Sequence, residues 1–307
     1  MRVMEAEWRA CASRFATAHG VRYIVAMGLK IAISHGMNFV RDCCVFGVKS
    51  ALKGQLARFG EGTVRLSVPS VGDVTLRRGD SDFDTLRQIF VFEEYNVWGL
   101  VQDMINIRYQ AIIRTGACPL IIDAGANVGF AALWFAKLYP RATIICVEPD
   151  AGNFRTLQTN ISGFKNVFAH HAAVGANPGF VDLENPGLSW ACETIRSEQG
   201  TVPILTIDKI IASVPMATPF IVKVDIEGFE EDLFSDNLAW LDETCTVFIE
   251  PHDWMKPHGR SSRTFQQAFA ERGFGMFIRC ENIIYVNDRY LTPHRQLSAA
   301  SADHRCD

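Results

Sequence analysis

Charged residues that end apolar runs are the ones placed to do chemistry, and this chain repeats that arrangement. "LIID" closes on Asp123 and "TIICVE" on Glu148; "FIVKV" runs into Asp225 and Glu227; "TVFIE" brings Glu250 and then His252. A carboxylate at the tip of a buried strand is costly unless it binds something. The first run continues as "DAGANVGF". Gly125 and Gly129 there flank a sharp turn, because glycine visits positive φ freely and lets a ligand approach the main chain. Backbone N–H groups at the start of the following helix are expected to face that ligand.

The spacing does not suit a dinucleotide. A pyrophosphate fingerprint reads G-x-G-x-x-G, whereas Gly125-Ala-Asn-Val-Gly129 lacks the middle glycine, and the carboxylate of Asp123 repels a diphosphate. Glu148 ends the second run nineteen residues after Gly129. An acid in that position accepts from the two hydroxyls of a ribose. Asp123 and Glu148 together describe a ribose-bearing cation without phosphate, which is the chemistry of S-adenosyl-L-methionine. Asp225 and Glu227 are suited to hold a methionyl amine, orient a substrate hydroxyl, or bind a metal. His252, at the expected rim of the same crevice, is the first candidate for a general base and Asp225 the second. A rim histidine without a role is the plain alternative. His170 and His171 end the third run and are expected to pack in the core or against an adenine. Arg78 and Asp82, upstream, suit either a lid over the cofactor or a structural ion pair.

These residues need strands and helices in alternation to bring them together. The expected strands are Leu120–Asp123, Thr143–Glu148, Val167–His171, Phe220–Asp225, Thr244–Glu250, Phe274–Arg279 and Asn282–Val286, with helical patterns at Val128–Leu138, Asn153–Ile161, Phe229–Leu241 and Ser262–Arg272. Near-continuous apolar strands separated by helices predict a parallel sheet covered on both faces. The last two strands, only a few residues apart, should pair antiparallel. Ahead of this core, "TVRLSVPSVGDVTLRRG" alternates as a β-hairpin, and Ser81 or Asp82 caps a helix carrying Leu86, Ile89 and Phe90. The chain thus divides into a helical extension (1–58), a hairpin and helix (59–117), an α/β domain (118–290) and a polar tail (291–307).

With 307 residues, 48% apolar and 21% charged, the chain can bury a sizeable core. A net charge of −4 lacks the basic face of a dedicated nucleic-acid binder, so no nucleic-acid partner is expected. The nine cysteines contain no C-x-x-C and read as small hydrophobes in a reducing, cytoplasmic compartment. Val21–Val40 is apolar but broken by Arg22, Lys30 and His35, leaving runs shorter than the ~20 residues of a membrane span. A packed amphipathic helix is the first expectation there and a peripheral membrane contact the second.

Beyond these residue-level readings, "DAGANVG", "CVEPDAGNF" followed by Asn160, "AAVG", "LTIDKI" and "VKVDIEGFE", with "LRRGDSDFDTLRQIFVFEEY" upstream, make residues 60–288 resemble the FkbM-type family of class I S-adenosylmethionine-dependent methyltransferases. That resemblance implies a Rossmann-like sheet of seven mostly parallel strands with the last antiparallel. It implies methyl transfer to a hydroxyl of a sugar, glycan or natural-product small molecule. It places cofactor contacts at Asp123, Gly125, Asn127 and Gly129, ribose contact at Glu148, and Asp225, Glu227 and Gly228 at the boundary between cofactor and acceptor. Residues 1–58 and the loop Asn185–Gly200, with Trp190, depart from the family pattern and leave the acceptor open. Three rivals stand beside this expectation: an Mg²⁺-assisted O-methyltransferase using Asp225, Glu227, Glu250 and His252; an RNA or protein methyltransferase; and a non-catalytic module of the same fold. No metal is assigned in the preferred reading.

Overall fold

The computed structural model describes residues 37–184, 193–253 and 261–290. Its centre is a seven-stranded sheet built from β3 (Cys118–Ala124), β4 (Thr143–Glu148), β5 (Val167–His171), β10 (Ala217–Val224), β11 (Thr246–Ile249), β12 (Phe274–Arg279) and β13 (Asn282–Asn287). The order across the sheet is β12-β13-β11-β10-β3-β4-β5. β3 is parallel to β4 and to β10, β4 to β5, and β10 to β11. β13 alone runs against its neighbours, wedged antiparallel between β11 and β12. This is the Rossmann-like class I arrangement the sequence implies, with each expected strand present to within a few residues.

The sheet holds because its strands are apolar on both sides. Ile121, Ile144, Phe220 and Phe248 point into one buried cluster, while Leu120, Ile122, Val222 and Val247 point into the other. Alternate residues of a strand face opposite ways, so a continuous apolar run serves two cores at once. The first cluster is closed by the hairpin β1 (Thr63–Val68) and β2 (Gly72–Arg77), by α2 (Asp82–Phe90) and α3 (Leu100–Arg114), and by α4 (Phe130–Leu138) and α5 (Ala151–Ile161). The second is closed by α6 (Ile207–Ser213), α7 (Glu230–Leu233), α8 (Ala239–Glu243) and α9 (Ser261–Ala270).

Upstream, residues 37–46 are helical, and Gly47, at φ +78°, separates them from α1 (Val48–Ala57). Asp42, fully buried, pairs with Arg87 of α2 at 2.7 Å and ties this extension to the body. Residues 1–36 of the expected extension, Trp190, and the tail from Leu291 lie outside the described residues. Among the described residues no helix is long and apolar enough to cross a membrane.

Two elements differ from the sequence expectation. The helix expected over Phe229–Leu241 is two short ones, α7 and α8. Asn237, with φ +55°, lies between them and donates its side-chain amide to the carbonyl of Ala176, so the chain leaves the helical path there. The segment after β5, where only a loop at Asn185–Gly200 is expected from the sequence, holds further strands. It forms a second sheet of β6 (Ala173–Val174), β7 (Gly179–Glu184), β8 (Glu193–Arg196) and β9 (Val202–Leu205), in the order β6-β9-β7-β8. Its strands are short, so their alternation is too brief to show in the sequence.

Candidate active site

The chain runs from β3 to β4 and β5 on one side, then returns to β10 on the other side of β3. Ligands in such sheets bind at the carboxyl ends of the strands flanking that switch. A cleft lies there, lined by Gly125 and Asn127 after β3, Glu148, Pro149 and Asn153 after β4, Asp225, Ile226, Glu227 and Phe229 after β10, and Ala173, Val174 and Thr194 of the small sheet.

The turn after β3 is shaped by contact with β10. Gly125 has φ +77°, and a Cβ there would stand 1.7 Å from the main-chain oxygen of Asp225. Gly129, φ +93°, is a packing position instead: a Cβ would meet Leu157 of α5 at 2.6 Å, and Gly129 does not line the cleft. The main-chain donors of the turn are not bare. Gly125 and Ala126 donate to the carbonyl of Val147, at 2.9 and 3.1 Å, and Asn127 donates to Glu148 Oε2 at 2.8 Å. What the turn offers a ligand is the side chain of Asn127, whose Oδ1 is buried without a hydrogen-bond partner.

Asp123 is also placed differently from the sequence expectation. It is fully buried behind Gly125 and does not line the cleft. Lys223 of β10, 2% exposed, reaches across the sheet with Nζ 3.2 Å from Asp123 Oδ1 and 3.1 Å from Asp225 Oδ2, and it donates to the carbonyl of Gly125 at 2.6 Å. Burial opposes the ammonium, but Asp123 and Asp225 outweigh it and hold Lys223 protonated. Asp123 therefore spends its charge inside the protein, as the counter-ion of the lysine that fixes the β3 turn and Asp225.

Glu148 lines the cleft and is held by three donors: Asn127 N, Asp150 N at 2.9 Å and Asn153 Nδ2 at 3.2 Å. Burial pushes its carboxyl up and the three donors pull it back, leaving it at about 7. Asp150 caps α5 by accepting from Gly152 and Asn153 N–H, which sets Asn153 against Glu148. Asn153 Oδ1 accepts in turn from Arg77 Nη1 at 2.7 Å. Arg77, rather than Arg78, is the partner of the buried Asp82, at 2.6 Å. The pair fastens the hairpin and α2 to the Glu148 network and lies off the cleft, so it is a structural clamp.

His252 is not at the rim. It is 2% exposed, and its Nδ1 pairs with the fully buried Glu230 at 2.7 Å. Its Nε2 faces Asp225 Oδ1 and Glu227 Oε2, both at 3.6 Å, and Glu250 Oε1 at 3.7 Å. Burial opposes the imidazolium, but Glu230, Asp225 and Glu227 outweigh it, raising the pKa to about 9. Burial and the charge of Asp225 push Glu227 and Glu250 to about 8. His170 and His171 are both exposed and neither lines the cleft. His171 stacks on Phe154 and pairs with the carbonyl of Pro149 at 2.9 Å.

Sequence reasoning gave no role to Asn153, Thr194 or Glu230. Asn153 stands three residues after Asp150, as a capped helix start allows; the others arrive only through tertiary packing.

The profile of the methyltransferase FkbM domain matches residues 123–274, the stretch from the end of β3 to the start of β12. Methyltransferase 1 of Beauveria bassiana (strain ARSEF 2860) is 27% identical over 143 residues, covering 37% of this chain and 56% of that protein. Among solved structures, monomeric WbdD is 12% identical with a TM-score of 0.36, covering 62% of this chain and 42% of that one. Precorrin-6y C5,15-methyltransferase from Geobacter metallireducens GS-15 is 10% identical with a TM-score of 0.32, covering 59% and 86%. The chain thus spans about half the length of the curated relative and of WbdD. Scores this low add nothing to the fold assignment, which rests on the strand order itself. Residues 123–274 of the chain thus match the methyltransferase FkbM domain.

Proposed function

We propose that the protein is an S-adenosyl-L-methionine-dependent O-methyltransferase acting on a hydroxyl of a small molecule or glycan. The observation that carries this is the charge of the cleft. Glu148, Asp225 and Glu227 line it, and no lysine or arginine does among the described residues. Such walls disfavour a phosphate and favour a ligand that carries hydroxyls and positive charge. The orphaned Oδ1 of Asn127 fits the same ligand, since a buried acceptor without a partner costs about 1–3 kcal/mol until a donor arrives.

In this reading Glu148 takes the ribose hydroxyls, Asn127 and Glu227 meet the amino-acid end, and the apolar Pro149, Ala173 and Val174 face the base. The cofactor, when bound, supplies an electrophilic methyl group on a sulfonium. The protein's part is alignment and proton removal. Lys223 anchors Asp225 at the cleft wall, where its carboxylate accepts the proton of the acceptor hydroxyl. His252 is too deeply buried, and too committed to Glu230, to take that proton directly.

The test is transfer of labelled methyl from S-adenosyl-L-methionine into small-molecule and glycan fractions, beside calorimetric binding of S-adenosylhomocysteine. Binding with transfer that Asp225→Asn abolishes is expected. Absence of binding by the wild-type chain would sink the proposal.

A further inference from the structure

We infer that Asp225, Glu227 and His252, with Glu250 beside them, form a binding site for one divalent cation of the Mn²⁺/Mg²⁺ class. One ligand atom from each of the first three lies within 4.8 Å of the others. Ligands around an octahedral ion of this size stand about 3 Å apart as neighbours and about 4.2 Å apart across it. A contraction of roughly 0.6 Å, from 3.6 Å between His252 Nε2 and the oxygens of Asp225 and Glu227, therefore closes the set.

The independent observation is His252. It is 2% exposed, and its Nε2 stands beyond hydrogen-bond distance of each of the three carboxylate oxygens it faces, at 3.6, 3.6 and 3.7 Å. A hydrogen bond from that nitrogen to any of them would be long, whereas a cation placed among Asp225, Glu227 and His252 would be ligated by all three. The other ring nitrogen is already fixed by Glu230, whose burial is complete. A carboxylate, main-chain carbonyl or water on the far nitrogen orients nearly every metal-binding histidine and sets its tautomer, and Glu230 is such a carboxylate. Four carboxylates (Asp225, Glu227, Glu230 and Glu250) converge on one imidazole. The described cation nearest them, Lys223, is shared with Asp123. Carboxylate oxygens suit Mg²⁺ and Mn²⁺, and one imidazole tilts the set towards Mn²⁺.

The binding claim stands without the methyl-transfer reading. Its consequence for catalysis rests on that reading: Asp225 and Glu227 also line the cleft, so an acceptor hydroxyl bound to the ion would lose its proton more readily.

The experiment is a Mn²⁺ titration of the whole chain, freed of metal by chelation, followed by electron paramagnetic resonance with electron spin-echo detection of ligand nitrogen. One bound Mn²⁺ per chain with a ¹⁴N coupling is expected, and Mg²⁺ should displace it. His252→Ala should remove the coupling and weaken binding at least about ten-fold. Glu148→Gln should keep the ion while losing S-adenosylhomocysteine, which separates failure of this site from failure of the proposed function. Bound Mn²⁺ without ¹⁴N coupling in the wild-type chain would overturn the assignment, as would no binding up to about millimolar Mn²⁺; neither result depends on a variant folding.

Discussion

Glu148→Gln is the sharpest perturbation of the cofactor reading, because it changes charge with almost no change of shape. In the wild-type chain Oε1 accepts from Asp150 N and Asn153 Nδ2, and Oε2 accepts from Asn127 N. A glutamine oxygen in the Oε1 position keeps the first two bonds. Its amide then faces Asn127 N–H, donor against donor, at a cost of about 1–3 kcal/mol. Against this, the variant no longer buries a charge. Burial, partly offset by the three donors, raises the Glu148 carboxyl from 4.5 to about 7. At about 1.36 kcal/mol per unit, that penalty is about 3 kcal/mol above pH 7. The two terms nearly cancel, so the variant should unfold within about 2 kcal/mol of the wild type. Ligand binding has no such offset. Hydrogen bonds to a charged acceptor contribute about 1.5–3 kcal/mol each, and two ribose hydroxyls lose them together. Affinity for S-adenosylhomocysteine should fall about 10²- to 10⁴-fold. Calorimetric titration at pH 8, with a thermal melt of the same samples, measures both quantities. Binding kept within about threefold by a variant of unchanged stability would refute the ribose role of Glu148.

The same residue predicts a pH dependence. A carboxyl raised on folding binds its proton more tightly in the native state, so its stabilising contribution is complete below about pH 4.5 and is lost as pH rises through about 7. The unfolding free energy of the wild type minus that of Glu148→Gln should fall by about 3 kcal/mol across that window in urea titrations; a flat difference would remove the buried-charge account. Gly125→Ala should destabilise by at least about 3 kcal/mol, because its Cβ meets the Asp225 oxygen at 1.7 Å and its φ of +77° is strained for alanine; equilibrium unfolding checks it. Lys223→Met leaves the buried Asp123 without its counter-ion and should cost about 3–5 kcal/mol, and adding Asp123→Asn should recover part of that loss in a double-mutant cycle. Arg77→Ala should destabilise by a similar amount through Asp82, 1% exposed, and should also weaken S-adenosylhomocysteine binding by freeing Asn153 beside Glu148.

The sheet was legible in the sequence because its strands are apolar on both faces and carry their acids at their tips. That pattern needs no partner to be seen. Runs such as Leu120–Asp123 and Thr143–Glu148 therefore matched the observed strands within a few residues, and the antiparallel pairing of the last two followed from their short connection. The short strands of the second sheet and the break at Asn237 were not legible, because each depends on contacts with distant segments rather than on local periodicity.

The sequence by itself determined which acids reach the end of the sheet that holds the cleft, since a strand's length and direction fix where its tip lies. Only the tertiary structure decided which of them face the cleft. Asp123 and Glu148 end neighbouring strands in the same way, yet Lys223, carried in by β10, draws Asp123 into the protein while Glu148 remains at the cleft wall. His252 follows its strand as a rim residue would, yet Glu230, arriving on α7, turns the ring inward and aims its other nitrogen at three carboxylates. Burial and the sign of the nearest charge set those outcomes, and both are properties of neighbours that the sequence holds far apart.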